Sequence, residues 1–147
     1  MKMNLTPNME DYLECILQLK LSKKIVRVRD ISKCLSVNMS SVTSALENLV
    51  KKELVFHERY GYVDLTKQGE QYARKILQRH EVLTKFFNEV LQVPLDIAEN
   101  DACHIEHLIS SVSFSRLFKL VSYLTENKHE QKLFRIDDIA SILNKKD

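Results

Sequence analysis

The stretch "ISKCLSVNMSSVTSALENLVKKELVFHERYGYVDLT", residues 31–66, decides the fold of this chain. Its first part predicts a short helix and, after a turn, a second helix that Asn38 caps. In the second helix Val42, Leu46 and Leu49 repeat at helical spacing, whereas small polar residues occupy the other side. Two short helices joined by a tight turn, the second with a polar face, are typical of a helix-turn-helix.

The second part of the stretch predicts a two-stranded hairpin. Residues 54–66 alternate between apolar and polar on both sides of Gly61, where the chain can turn. A helix-turn-helix followed directly by such a hairpin is a winged helix. This order of elements indicates DNA binding more specifically than the charge of the chain does.

The remainder of the chain predicts amphipathic helices. Thr6 and Pro7 provide a cap and a first-turn proline, and Pro94 separates two of the later helical patterns. These helices cover residues 8–22, 70–91, 95–110, 114–124 and 134–144. We therefore expect a mainly α protein with a winged helix-turn-helix domain over residues 1–70 and an all-helical domain over residues 71–147.

Composition excludes several classes of protein. The chain has 147 residues with only two glycines and two prolines, which agrees with a mostly helical domain pair. Its net charge of +2 is too small to indicate a nucleic-acid partner by itself. The odd number of cysteines does not predict secreted cross-links, and we expect Cys15 and Cys34 to pack as small apolar side chains. No apolar run approaches the roughly 20 residues that cross a bilayer, so we expect a cytoplasmic protein without a membrane partner.

Several metal-ligand types can face one side of the helix predicted over residues 95–110. Within "ENDACHIEHL", Glu99, Cys103 and Glu106 fall at i, i+4 and i+7. His107 lies four residues after Cys103 and adjoins the same side. Because one transition-metal ion accepts sulfur, oxygen and nitrogen donors together, this helix predicts a metal site.

Two other predicted helices carry isolated donors. Asp11 and Glu14 stand at i and i+3 of the first helix, where such acids are usually exposed charges near the N-terminus. His80 lies on the apolar face of the long helix, where a single histidine is more often a core residue than a ligand. The residues alone leave open whether these donors meet those of the later helix.

Four segments resemble the metal-dependent repressors of the diphtheria-toxin-repressor and manganese-transport-regulator family. They are "MEDYLECI", the helix-turn-helix and hairpin continued through "TKQG", "RHEVL" and "DACHIEHLIS", all within residues 5–125. The resemblance implies a homodimer whose winged helix precedes an all-helical dimerisation domain. It also implies that divalent metal, bound between the two domains, switches on binding to double-stranded operator DNA. Some members add an SH3-like domain, which we expect to be absent from a chain of this length.

The resemblance also implies which residues bind the metal. Asp11 falls where manganese regulators have aspartate and iron regulators have methionine. Cys103 falls where iron regulators have cysteine and manganese regulators have glutamate, so the sequence is a hybrid. The implied ligands are Asp11, Glu14, His80, Glu99, Cys103, Glu106 and His107.

The hybrid character leaves the metal and its stoichiometry open. Glu99 falls where iron members place an ancillary histidine, and Thr84 falls where an ancillary glutamate is expected but cannot replace that carboxylate. Because a thiolate is a soft ligand, Fe(II) is slightly favoured over Mn(II) as the physiological co-repressor. Zn(II) or Co(II) can bind in vitro for the same reason. We expect the regulator to control metal-ion homeostasis.

DNA contacts are implied on and around the second helix of the helix-turn-helix. The residues that the resemblance places there are Asn38, Ser40, Ser41, Thr43 and Ser44. Because short hydroxyl side chains make modest base contacts, phosphate contacts should supply much of the affinity. The candidates for those contacts, each of which is otherwise an ordinary surface residue, are Arg27, Arg29, Lys51, Arg59 and Tyr60.

A metal that binds both domains would act through the spacing of two recognition helices. In a two-fold dimer these helices must reach major grooves about 34–36 Å apart, or a multiple of that. Without the ion, operator affinity would fall with the fraction of dimers that has the right spacing.

Two alternatives involve different chemistry. A metal-independent winged-helix regulator that senses an organic ligand would have the same fold. The segment "CHIEH" approaches the H-x-x-E-H pattern of some zinc proteases, but its first position is Cys103. No nucleophile elbow or phosphate loop accompanies it, so we expect that the protein is not an enzyme.

Overall fold

The computed structural model describes residues 5–58 and 61–126, and it confirms the mainly α fold with an N-terminal winged helix-turn-helix. Arg59, Tyr60 and the helix predicted over residues 134–144 lie outside the described residues. The chain forms two compact units that divide between residues 77 and 78. In chain order the elements are α1 (Pro7–Ser22), β1 (Val26–Arg27), α2 (Val28–Cys34), α3 (Met39–Lys51), β2 (Val55–His57), β3 (Tyr62–Leu65), α4 (Lys67–Lys85), a π-helical turn (Phe86–Val90), α5 (Leu95–Ile105) and α6 (Ser111–Glu126).

The predicted helix caps are present. Thr6 Oγ1 accepts a hydrogen bond from the Met9 amide at 3.3 Å, and Pro7 opens α1. Asn38 Oδ1 accepts from the Ser41 amide at 2.8 Å, so α3 begins one residue after Asn38. Each cap satisfies an amide that has no partner inside its own helix.

A short turn between α2 and α3 sets the start of the second helix. Ser36 has a φ of 54°, a left-handed conformation that reverses the chain after α2. Ser32 Oγ donates to the Val37 carbonyl at 2.6 Å, and the Val37 amide donates back to the Ser32 carbonyl at 3.1 Å. These two bonds fix the turn of the helix-turn-helix.

The wing is a three-stranded antiparallel sheet with the order β1-β3-β2. Strands β2 and β3 form the predicted hairpin, with Val55 opposite Leu65. The third strand, β1, pairs Val26 with Val63. Its two residues are too few to show the alternation that identifies a strand from sequence.

The core of the first unit, which ends at Leu77, lies between α1, α2, α3 and the sheet. Cys15 belongs to it at 2% exposure, as expected. The expectation for Cys34 was wrong, because that thiol is exposed at the last residue of α2. The largest fully buried aliphatic side chains described in this unit are Leu13, Ile16, Leu17, Ile31, Val42, Leu46, Leu49 and Leu54.

In the residues that the structure describes, the second unit contains the end of α4, the π-helical turn, α5 and α6. Ala98 and Ala102 are completely buried, and their small side chains let α5 pack closely on its neighbours. Helix α5 ends at Ile105, earlier than predicted. The Glu106 amide still donates to the Ala102 carbonyl at 2.9 Å, so the chain keeps a helical path beyond that end. Among residues 5–58 and 61–126, every helix is too short or too polar to span a bilayer.

Candidate metal centre and nucleic-acid interface

Glu106 is a completely buried carboxylate in the second unit, with 0% exposure. Its Oε2 lies 2.9 Å from His80 Nδ1, and the carboxylate oxygen accepts a hydrogen bond from the tautomer that carries its proton on Nδ1. Its Oε1 lies 3.2 Å from His107 Nε2. The turn after α5 therefore places one carboxylate between two imidazoles that come from different elements.

The arrangement around Glu106 fits a divalent metal ion. Glu106 Oε1 is buried, and its 3.2 Å contact with His107 Nε2 does not have the geometry of a hydrogen bond; no other described residue donates to this oxygen. A buried carboxylate oxygen without such a bond is costly unless a cation compensates it. Cys103 Sγ lies within 4.8 Å of a Glu106 carboxylate oxygen, and Cys103 itself is exposed. His80, Cys103 and Glu106 thus offer nitrogen, sulfur and oxygen donors of the kinds that transition metals accept.

Arg79 holds the turn that carries Glu106, and sequence reasoning missed it. Arg79 Nη1 donates to the Glu106 carbonyl oxygen at 3.1 Å. Its guanidinium also lies 5.8 Å from the ring centre of Phe114 in α6. Its position directly before His80 was the only signal in the sequence, and it did not distinguish Arg79 from a surface arginine.

Glu14 differs from the exposed acid that its position in α1 suggested. It is only 8% exposed, between buried side chains of the same helix. Its Oε1 accepts a hydrogen bond from Gln18 Nε2 at 3.1 Å, one turn later. Asp11, three residues earlier, is half-buried. Burial of a carboxylate in an otherwise apolar stretch indicates a function beyond surface charge.

The family resemblance implies ancillary metal ligands at positions 99 and 84. The side chains present there, Glu99 and Thr84, have different environments. Glu99 is exposed on α5, and no three-donor cluster among the described residues includes it. Thr84 Oγ1 is buried and has no hydrogen-bond partner within residues 5–58 and 61–126. The role of Glu99 as a ligand therefore remains a prediction.

Helix α3 presents the predicted DNA-contact residues. Ser40 Oγ donates to Asn38 Oδ1 at 2.7 Å, so the cap orders the hydroxyl at the start of the helix. Thr43 is half-buried, and its hydroxyl donates to the Met39 carbonyl at 2.9 Å. The exposed members of the predicted set on this helix and its cap are Asn38, Ser40, Ser41, Ser44 and Lys51.

The basic side chains of Lys20, Lys23, Arg27 and Arg29 do not all have the same environment. Lys23 Nζ donates to Asp30 Oδ1 at 2.8 Å, and this ammonium holds the pKa of the Asp30 carboxyl below its ordinary value. Lys20 Nζ donates to Asp64 Oδ1 at 2.7 Å, which raises the pKa of Lys20. Arg27 and Arg29 are exposed.

Two family models together match most of the chain. "Iron dependent repressor, N-terminal DNA binding domain" matches residues 4–63, which include the helix-turn-helix and the sheet. "Iron dependent repressor, metal binding and dimerisation domain" matches residues 66–135, which include His80, Cys103 and Glu106.

Full-length relatives and a solved structure agree with these matches. The chain is 36% identical over 140 residues to the HTH-type transcriptional regulator MntR of Bacillus subtilis, covering 95% of this chain and 94% of that protein. It is 37% identical over 142 residues to the regulator of the same name from Shouchella clausii, covering 97% and 95%. The "Structure of the manganese regulator SloR" is similar with a TM-score of 0.71 at 28% identity, covering 81% of this chain and 55% of that one. This chain thus spans about half the length of that solved chain. It belongs to the diphtheria-toxin-repressor and manganese-transport-regulator family of metal-dependent transcriptional regulators.

Proposed function

We propose that this protein is a transcriptional repressor whose affinity for operator DNA rises when a divalent metal binds around Glu106. The observation that carries the proposal is the complete burial of Glu106 against His80, with one carboxylate oxygen that makes no hydrogen bond to the described residues. A bound cation would compensate that charge. The proposed ligands are Asp11, Glu14, His80, Cys103 and Glu106, with Glu99 and His107 as further candidates.

The proposed physiological ion is Fe(II) or Mn(II). The names of the MntR relatives and of the manganese regulator support Mn(II). Cys103 supports Fe(II), because a thiolate binds the softer ion more tightly and the Irving–Williams order points the same way. We propose that this thiolate shifts the preference toward Fe(II), and that the regulated genes serve metal-ion homeostasis.

The proposed DNA-binding form is a homodimer that places one α3 helix in each of two successive major grooves. The exposed hydroxyls at the start of α3 would contact base edges, and Arg27, Arg29 and Lys51 would contact phosphates. A homodimer is supported by large apolar side chains that the second unit leaves exposed. They include Leu108, Val112, Phe118, Leu120 and Tyr123.

The metal would act on DNA binding through α1. Asp11 and Glu14 belong to the DNA-binding unit, whereas His80, Cys103 and Glu106 belong to the second unit. If ligands from both units bind the same metal ions, the metal fixes the spacing of the two α3 helices in the dimer. Operator affinity then depends on metal because the two helices must reach two major grooves at once. Arg79 would keep Glu106 in place for this purpose.

Operator binding by ligand variants tests the proposal. Cys103→Ala and Glu106→Gln are expected to lose the metal-dependent part of operator binding in a mobility-shift assay while they remain dimers in sedimentation. The matched control is Glu81→Gln, because Glu81 is an exposed carboxylate next to His80. This control should respond to Fe(II) and Mn(II) like the wild type. A normal metal response in both ligand variants would show that the metal binds elsewhere.

A further inference from the structure

Met39 is a large apolar side chain that the first turn of α3 leaves in solvent. By helical spacing it continues the stripe of Val42, Leu46 and Leu49, so periodicity alone would assign it to the core. Those three side chains are completely buried, whereas Met39 is 59% exposed. Met39 therefore contributes little to the core, and it is not one of the predicted DNA-contact residues.

We propose that Met39 recognises a thymine of the operator by packing against the C5 methyl group of that base in the major groove. This inference rests on the proposed function, because it requires that α3 enters the major groove. It adds an apolar, sequence-reading contact to a helix whose predicted DNA contacts are polar.

The position of Met39 in α3 directs its side chain toward the bases. Met39 is the first residue of the helix, directly after the Asn38 cap. Because Cβ bonds in a helix tilt toward its N-terminus, the side chain of the first residue extends toward and past that end. A recognition helix contacts base edges with its N-terminal residues. In the bound state the Met39 side chain therefore faces the base edges.

The polar groups around Met39 are partly used inside the protein. Asn38 Oδ1 accepts hydrogen bonds from the Ser41 amide at 2.8 Å and from Ser40 Oγ at 2.7 Å. The Thr43 hydroxyl donates to the Met39 carbonyl at 2.9 Å. The hydroxyl protons of Ser40 and Thr43 are thus engaged, although their oxygens can still accept. An apolar contact by Met39 discriminates between bases without these groups.

Thymine is the base that matches this apolar side chain. Of the four bases, only thymine presents a methyl group in the major groove. Methionine is unbranched and polarizable, so it adapts to a neighbouring apolar group. Burial of one methyl group contributes roughly fourfold to affinity. Met39 therefore favours thymine at one position of each half-site.

Replacement of thymine by deoxyuridine tests the contact, because deoxyuridine still pairs with adenine and lacks only the C5 methyl group. The probe is the duplex that the wild type binds most tightly after selection from a randomised library, with saturating Fe(II) or Mn(II) under anaerobic conditions. Each thymine of one half-site is replaced in turn, and fluorescence anisotropy measures the dissociation constant. The wild type is expected to bind roughly fourfold more weakly when the contacted thymine is replaced.

Variants of α3 identify the residue that contacts the methyl group. Met39→Ala should bind the thymine duplex at least about fourfold more weakly than the wild type, and it should lose the dependence on that one methyl group. Met39→Leu keeps an apolar side chain and should retain the dependence. The matched control is Val50→Ala, which shortens a 41% exposed apolar side chain near the other end of α3 and should behave like the wild type.

The outcomes separate this inference from the proposed function. If Met39→Ala and the wild type depend equally on every thymine methyl group, the inference is overturned, while metal-dependent DNA binding by both proteins would still support the proposed function. If the wild type selects no duplex from the library, both the inference and the proposed function are contradicted. Circular dichroism should show the wild-type fold in each variant, because the substituted side chains are exposed.

Discussion

Thr84 is a buried hydroxyl without a hydrogen bond to any described residue, one turn after His80 on α4. Leaving such a group unsatisfied costs about 1–3 kcal/mol of folding free energy. The family resemblance implies an ancillary glutamate ligand at this position, and threonine cannot replace that carboxylate. We therefore expect the Thr84 hydroxyl to lower the stability of the fold.

Thr84→Val is expected to raise the free energy of unfolding by about 1 kcal/mol, because valine keeps the shape of threonine and removes the unsatisfied hydroxyl. Urea unfolding of the metal-free protein measures the change, and Thr84→Ser, which keeps the hydroxyl, is the control. Metal affinity by calorimetry should stay the same. A less stable valine variant would show that the hydroxyl has a partner in solution.

Asp30 stabilises the start of α2. Its Oδ2 accepts from the Arg27 amide at 3.0 Å, and its Oδ1 accepts from Lys23 Nζ at 2.8 Å. The Lys23 hydrogen bond lowers the pKa of Asp30 in the folded protein. Its contribution is thus complete above the unfolded pKa of about 4 and is lost as the pH falls through the lower folded pKa.

Asp30→Asn is therefore expected to lower the free energy of unfolding by about 1 kcal/mol at pH 7, with a smaller difference at pH 3. Urea unfolding at the two pH values measures both differences. If the difference between wild type and variant is the same at both pH values, the charge of Asp30 does not stabilise the fold.

For single residues, the sequence predicted which side chains can bind a metal, but it predicted less well how buried those side chains are and what they contact. The spacing of Cys103 and Glu106 indicated a metal site, and the two side chains do lie close together. The burial of Glu14 and the contact of Arg79 with the Glu106 backbone could not be predicted. Both depend on which elements pack together in three dimensions, and helical periodicity does not contain that information.

Among the elements, the junction between the wing and α4 depends on a glycine. A Cβ at Gly69 would lie 1.9 Å from the Leu54 carbonyl oxygen. That oxygen also accepts from the Thr66 amide at 3.0 Å, so it cannot move away freely. The close approach of the first turn of α4 to Leu54 therefore requires glycine at this position.

Gly69→Ala is expected to lower the free energy of unfolding by at least about 2 kcal/mol, because the added methyl forces the backbone at Leu54 to shift. Gly61→Ala is the matched control, since a Cβ there meets nothing within 4 Å. The control should change stability by less than about 0.5 kcal/mol. Thermal unfolding measures both, and equal effects of the two substitutions would contradict the close packing at Leu54.

Helix caps were the most predictable features at this scale, because Thr6 and Asn38 act locally on the amides that follow them. Strand β1 was missed because its two residues pair with a strand more than thirty positions away. The π-helical turn at residues 86–90 was also missed, since one extra residue in a turn leaves the apolar pattern of a long helix almost unchanged.

For the whole molecule, an interface between two chains is expected on α6. Leu120 and Tyr123 are 48% and 50% exposed there. Leu120→Glu should convert the dimer to monomer in sedimentation equilibrium, because a carboxylate would be buried without a partner. Asn48→Glu places the same charge on an exposed residue of α3, outside α6, and should leave the dimer intact. A dimeric Leu120→Glu variant would place the interface on another surface.

Metal binding is proposed to control the affinity of this protein for operator DNA. The most direct measurement is the dissociation constant for operator DNA by fluorescence anisotropy, under anaerobic conditions, with chelator and then with saturating Fe(II) or Mn(II). A coupling of about 1–3 kcal/mol predicts roughly 5–150-fold tighter binding with metal. Equal dissociation constants with chelator and with either metal would contradict the claim, and would instead favour a regulator that does not respond to metal.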